Sequence, residues 1–445
     1  MRKYWFLALV ASTCLEGLGR KFLPSIPSIV FYLLKDVVLI WGYFTFRPPP
    51  AITRVGRSLY RGFEAALMLA ALWTFLEAFN PEQQSFPLAI IGLRAYWLWW
   101  LAPFVIAGVL QNPVQKRRAI YALAILTAGI SVLAALQFVS PPDSTLNLYS
   151  VVDGEELYAA NAGVISDTGR ARVSSTFAFI SGFADFTILV PALLLSLGLE
   201  ANERRLRRLA LGATLLCAAT VPMSGSRASV ILGLAVLALT CWSAGLFFTV
   251  IGRRIMIGAV AGAILAVVAF PDALVGVQSR FDPEETQSRI IQNTMVIPPV
   301  ALIASDYPML GIGTGMQQNA RASLHVVNDK WNAEIEVQRY LIELGPIGFL
   351  LVWTAKLGLM VAFIRAYRIL QRHRRRAAAG AALSYAALTF FGNTTFDHVW
   401  QALYFIGAGF ILAEVTSCLQ AAQRAKVEAQ SATSESTTAP AAVSA

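Results

Sequence analysis

Runs of apolar residues, each close to the ~20 needed to cross a hydrocarbon core, recur along almost the whole chain. They predict spans at residues 4–19, 28–46, 59–79, 88–109, 119–138, 173–198, 208–223, 227–249, 255–271, 341–364, 377–392 and 399–418. The fold class expected is all-α, a polytopic membrane helix bundle of about twelve transmembrane helices, one or two of them short enough to be re-entrant or broken. Two polar stretches interrupt the pattern, 139–172 and 272–340, the second lying between spans nine and ten. Beyond 418 the chain turns to Ala, Ser and Thr, which predicts a single membrane domain over 1–418 and a disordered cytoplasmic tail over 419–445. Met1 to Val10 begins like a signal peptide. Glu16, Arg20 and Lys21 follow where small residues would mark cleavage, so an uncleaved first span is expected.

Composition supports this pattern. The 445 residues are 56% hydrophobic and 14% charged, against ~45–50% and ~25% in soluble domains. That is more apolar surface than a soluble interior of this size holds. The net charge of +10 raises the question of nucleic acid, but its distribution answers differently. Arg2 and Lys3, Arg47 to Arg61, Lys116 to Arg118, Arg204 to Arg208, Arg253 and Arg254, and Arg365 to Arg376 fall on alternate connections. The positive-inside rule then places these loops and both termini in the cytoplasm, and 139–172 and 272–340 outside, with no nucleic-acid partner. Cys14, Cys217, Cys241 and Cys418 are dispersed, as are His325, His373 and His398, with no metal-ligand spacing.

Ionisable residues inside spans are expensive, and are usually paired or functional. Glu16, Arg20 and Lys21 close the first span, and Lys35 and Asp36 lie within the second. Glu16 and Arg20 share a helical face and are expected to pair. Asp36 is expected to meet Arg20 or Lys21 across the hairpin, locking two helices; contact with substrate is the other reading. Ser224-Gly225-Ser226-Arg227 interrupts an apolar stretch at the outer leaflet, and Arg172 starts a span at the same level. Arg94, ahead of Tyr96, Trp97, Trp99 and Trp100, marks an interfacial belt. Arginines converging at one depth suit a diphosphate, whose oxygens match a guanidinium fork.

The loop 272–340 carries Arg280 and Arg289, then Gly311-Ile312-Gly313-Thr314-Gly315, then Glu334 and Glu336. The glycine run lacks the GxGxxG spacing and the Walker lysine, so it reads as a tight turn with backbone close to something, not as a nucleotide site. Glu336, Arg339 and Glu343 fall on one helical face, which could hold a general base beside an anion site.

Taken together, the Ser-Gly-Ser-Arg break, Arg289, the run Tyr307-Pro308-Met309-Leu310-Gly311-Ile312-Gly313-Thr314-Gly315 and the stretch from Glu336 to Gly348 resemble the O-antigen ligase and O-antigen polymerase superfamily. The opening from Glu16 to Pro24, with Lys35-Asp36, is similar to an exopolysaccharide-associated branch of it. The resemblance implies a metal-independent, cofactor-free glycosyltransferase of the bacterial inner membrane. Its substrate would be an undecaprenyl-diphosphate-linked oligosaccharide, with membrane lipids and polysaccharide export proteins as surroundings. Ligases of the family carry a histidine where Glu334 stands, and His325 lies nine residues earlier, which favours a polymerase over a ligase. On this resemblance Arg172, Arg227 and Arg289 are the first choices for the diphosphate, with Arg280, Arg321 and Arg339 next. Glu336, Glu334 or His325, in that order, is the base. A flippase of lipid-linked sugars and a non-catalytic export partner are the rivals. Transporters often show paired halves with broken helices, and the chain has no internal repeat.

Overall fold

The computed structural model describes residues 4–23, 25–152, 155–165, 168–250, 298–304, 307–318 and 335–437, with residues 252, 253, 257, 270, 272, 321, 324, 326, 331 and 333 besides. The chain is mainly helical. It opens with α1 (Trp5–Cys14) and α2 (Glu16–Phe22), then α3 (Ser28–Thr45), α4 (Pro50–Tyr60) and α5 (Glu64–Glu77). Next come α6 (Phe86–Trp97), α7 (Ala102–Leu110) and α8 (Pro113–Val139). A hairpin of β1 (Leu148–Val152) and β2 (Glu155–Tyr158) follows, then the single turn α9 (Ala159–Ala162). The bundle resumes with α10 (Ile180–Glu200), α11 (Arg204–Thr220) and α12 (Arg227–Ser243), passes the short α13 (Pro298–Ala304), and ends with α14 (Glu336–Arg372), α15 (Arg376–Phe391) and α16 (His398–Thr437).

Among the described residues, seven helical stretches are long and apolar enough to cross a membrane, or eight if the pair α4–α5, bent by 91°, counts as one. The seven fall on α3, α6 to α7, α8, α10, α11 with the 3-10 turn after it, α14 and α16. The chain is therefore a multi-pass membrane protein. The expected spans 4–19, 227–249 and 377–392 coincide with helices too short to join these seven, and 255–271, apart from residues 257 and 270, lies outside the described residues.

Burial sorts the helices into an axis and a rim. In α10, 89% of the apolar window is buried, and in α16 83%, against 22% in α3. A helix that is apolar all round belongs in an interior, and α10 packs on α11, α12, α15 and α16. Rim helices instead leave Phe44, Met68, Leu72 and Phe75 exposed, as a lipid-facing surface requires.

Two features depart from the expected pattern. The polar stretch 139–172 is not plain loop, because Leu148-Tyr149-Ser150-Val151-Val152 carries β-formers and pairs antiparallel with β2. The tail is not disordered from 419: α16 continues as helix to Thr437. Its extension is rich in Ala, Gln, Glu, Lys and Arg, all strong helix formers, and residues 421–431 are exposed.

Candidate functional site

The break at 224–227 and the start of the 173–198 span do come together. After α11 the chain tightens into a 3-10 turn over Val221–Ser224, and Gly225 adopts φ +61°. Ser226 then caps α12, its Oγ accepting from the Ser229 N–H at 3.4 Å, so Arg227 opens that helix. Arg172 lies across this turn, its Nε donating to the Ser224 carbonyl at 3.3 Å, and a Cβ on Gly225 would stand only 3.0 Å from that nitrogen. The backbone joins in through the Val173 N–H, which donates to Met223 O at 3.1 Å. Tyr149 donates to the Arg172 carbonyl at 2.5 Å; burial raises its phenol above the ordinary value while the Arg172 charge pulls the other way.

Residues 174–176, which follow Arg172, are tied to three helices. Lys21 Nζ donates to Ser174 Oγ at 2.8 Å and to the Ser175 carbonyl at 2.9 Å. The Ser175 N–H donates to Gln137 Oε1 at 2.7 Å, and Ser175 Oγ to Ile130 O at 2.7 Å. Thr176 donates to the Cys14 carbonyl at 2.5 Å. Ser175 holds φ +48°, a conformation that persists in a non-glycine residue only when its surroundings over-determine it.

The glycine run is the tight turn the sequence predicts, and the close neighbours are now visible. Glu343 gathers it: the Gly315 and Gln317 N–H groups donate to its carboxylate at 3.0 and 2.6 Å, and Tyr96 Oη donates at 2.9 Å. The Thr314 N–H donates to Glu77 O at 3.2 Å. Gly315 has φ +93°, and a Cβ there would lie 2.2 Å from Leu88 O, so no other residue fits. Gly345, at φ +65°, bends α14 just before Pro346 and separates the turn that carries Glu336 and Glu343 from the long membrane segment.

Glu336 has different partners from those expected. Its carboxylate accepts from Tyr340 Oη at 2.8 Å, the Thr395 N–H at 2.8 Å, Thr394 Oγ1 at 3.5 Å and Lys356 Nζ at 2.5 Å. Three of these donors meet Oε1 and Lys356 alone meets Oε2, so Glu336 is a buried anchor between α14 and the loop before α16. Lys356 pairs with it directly, while Arg339 acts on it at longer range. Arg339 donates from Nε to Ala333 O at 2.9 Å and lies over the Phe396 ring at 5.4 Å. Arg321, Glu343 and Asp397 are within electrostatic range of it, so two of the expected arginines share a neighbourhood. Arg280, Arg289, His325 and Glu334 lie outside the described residues.

The charges of the first two spans lock helices, but through longer connections than expected. Glu16 pairs with Lys35 and accepts from His398 Nε2 at 2.7 Å, instead of pairing with Arg20. Asp36 accepts from Arg94 Nε at 2.7 Å and Trp99 Nε1 at 3.1 Å, instead of meeting Arg20 or Lys21. Arg94 also donates to Tyr32 Oη at 2.7 Å, so it is an internal tie and not a free interfacial anchor. Residue spacing alone missed Asp185, Lys356 and Asp397. The first two sit inside apolar runs, and an ionisable residue there is a signal in itself. No protein-family model matches this chain, and no curated protein matches it either.

Proposed function

We propose that this protein transfers a glycan from a lipid-linked diphosphate to an acceptor hydroxyl at one face of the membrane. In the fuller reading it lengthens undecaprenyl-diphosphate-linked repeat units on the outer face of a bacterial inner membrane, within a twelve-span scheme that leaves both termini cytoplasmic. The observation that carries the proposal is the seating of Arg172 on the Ser224–Gly225 turn, with Arg227 opening the next helix.

The chemistry needs two things. The sugar already carries a good leaving group, so catalysis must neutralise the charge that develops on the departing diphosphate. Preorganised cations do this without reorganising at the moment of reaction, and such electrostatic stabilisation is usually the largest catalytic contribution. Arg172 is preorganised in this sense, being held on both sides by the 174–176 ties and by the turn. The second need is a group to take the acceptor proton. Glu336 is buried and paired with Lys356, which ties it into the fold.

The test uses the purified full chain in detergent with an undecaprenyl-diphosphate-linked oligosaccharide, read by product length. The wild type lengthens the glycan. Arg172→Lys loses most of that rate while still folding, because an ammonium cannot reproduce the bidentate fork. Failure of the wild type to lengthen or transfer the glycan overturns the proposal.

A further inference from the structure

Glycosyl transfer needs a group to take the acceptor proton, and the surroundings of His398 suit one. It is the first residue of α16. Its Nε2 lies 2.7 Å from Glu16 Oε1, and the other oxygen of Glu16 is paired with Lys35. The ammonium beside Glu16 keeps the carboxylate ionised. An ionised carboxylate only accepts, so the ring proton sits on Nε2 and Nδ1 keeps a free lone pair. Nδ1 has no hydrogen-bond partner among the described residues. The Tyr32 ring packs edge-on against the imidazole, with centroids 4.7 Å apart, so the ring is held from two sides. Fixing the tautomer and direction of an imidazole is the part that a carboxylate plays in a hydrolytic triad.

Access follows the same line outward. Glu16 and Lys35 are sealed in, but the His398 side chain is 26% exposed. Asn393 and Asp397 beside it are also part-exposed. Asn393 Oδ1 stiffens the loop by accepting from the N–H groups of Phe396 at 2.9 Å and Asp397 at 3.2 Å. Its Nδ2 has no partner among the described residues, which leaves an amide donor for a sugar hydroxyl. The helix α2 joins this group to the Arg172 segment. Lys21 near its end holds Ser174 and Ser175, and Glu16 at its start holds His398. Between them Gly17 lies on the backbone of 176–178, where a Cβ would come within 2.2 Å of Ala178 N. The rise from Glu16 to Lys21 is ~7.5 Å along the helix, the scale of a sugar with its diphosphate. The other imidazole among the described residues, His373, ends α14 at the opposite end.

We propose that His398, through Nδ1, is the base that receives the proton of the acceptor hydroxyl. The assignment rests on the glycosyl-transfer reading above. In the step, the acceptor oxygen attacks the anomeric carbon as its proton passes to Nδ1, and the Glu16 carboxylate stabilises the imidazolium that forms. The bond from that carbon to the diphosphate oxygen breaks, and the lipid diphosphate leaves with the electron pair. The imidazolium then returns its proton to solvent.

His398→Gln tests this, because the glutamine amide can still donate to Glu16 but offers no basic nitrogen. In the detergent assay with undecaprenyl-diphosphate-linked oligosaccharide, the variant should keep the wild-type unfolding temperature and donor binding. It should lengthen glycan ~10²–10⁴-fold more slowly, the usual contribution of a general base. If His398→Gln does not fold, His398→Asn replaces it in the same comparison. A folded variant that keeps pace with an active wild type shows that the ring only ties α16 to α2, and overturns the assignment alone. If neither variant folds, His398 is a structural tie and the assignment falls likewise. A wild type that transfers nothing overturns the underlying reading, and the assignment with it.

Discussion

Where α14 and α16 begin, Glu16 meets Lys35 with side chains 1% and 0% exposed, and Glu336 meets Lys356 in a similar setting. At the far end of the same helices the pairs are wetter. Arg117 faces Glu203 at 3.6 Å with 60% and 39% of the side chains exposed, and the part-exposed Arg375 bridges Glu200 and a buried Glu414. The difference shows what each end is for. An exposed pair gains little and can be rebuilt with water. A buried pair repays its desolvation only when extra hydrogen bonds support its members, and at this end they do. Tyr340, Thr394 and Thr395 complete Glu336, and Trp99 and Tyr32 complete the Asp36–Arg94 pair. The far end carries the more solvent-exposed cations; the near end holds a buried polar interior close to the segment that follows Arg172.

The largest expected effect therefore comes from opening one near-end pair. Glu336→Gln leaves Lys356 buried without a counter-charge, and breaking a buried pair in this way costs ~3–5 kcal/mol. Thermal unfolding in detergent should show a loss of that order. The double variant Glu336→Gln with Lys356→Met should regain most of it, since the orphaned charge is gone. A single variant as stable as the wild type would erase the contrast between the two ends. Measuring transfer in the double variant sharpens it further, because activity there removes Glu336 from the reacting groups altogether.

A smaller effect is expected at the glycine turn. Gly315→Ala forces a side chain onto backbone held at φ +93° and toward Leu88 O at 2.2 Å; the strained conformation alone costs ~1–3 kcal/mol. The turn should detach from Glu343 before the bundle unfolds. Limited proteolysis within 307–318 should then accelerate while the unfolding temperature of the helices changes little. Unchanged cleavage would mean that Glu343 does not depend on this turn for its geometry.

The sequence made some of this legible and hid the rest for identifiable reasons. The spans were readable because a bilayer demands long unbroken apolar runs: 28–46 and 119–138 fall on α3 and within α8. The amphipathic α4 was missed because its buried stripe, Ile52, Gly56 and Leu59, is mixed with Arg54 and Arg57, and the chain bends 91° into α5 past Gly62 at φ +96°. The turn of Arg172 onto Ser224–Gly225 could be anticipated, since both interruptions lie at one depth of adjacent spans. The ion-pair partners could not. Glu16 chooses His398 over Arg20, a choice made across 382 positions, and helical spacing speaks only of neighbours three or four residues apart. Asp397 was hidden for a related reason: a carboxylate between a loop and a helix reads as a cap, which it is.

The smallest expected effect lies at the far end, and its smallness is what makes it informative. Arg117→Ala removes a cation from a pair at 3.6 Å that is largely in water. Glu203 keeps the hydrogen bond from Tyr121 Oη at 2.8 Å, so its carboxylate is not left without a donor. The lost Coulomb attraction is weak at high dielectric, and the freed side chain recovers rotamer entropy, so stability should change by no more than ~0.5 kcal/mol. Unfolding at low and high salt should give the same small difference for the variant and the wild type, because screening has almost nothing left to remove. A loss of about 1 kcal/mol or more, well above the usual exposed pair, would mean that the far-end charges hold the bundle together as the near-end pairs do, and the division of labour between the two ends would fail.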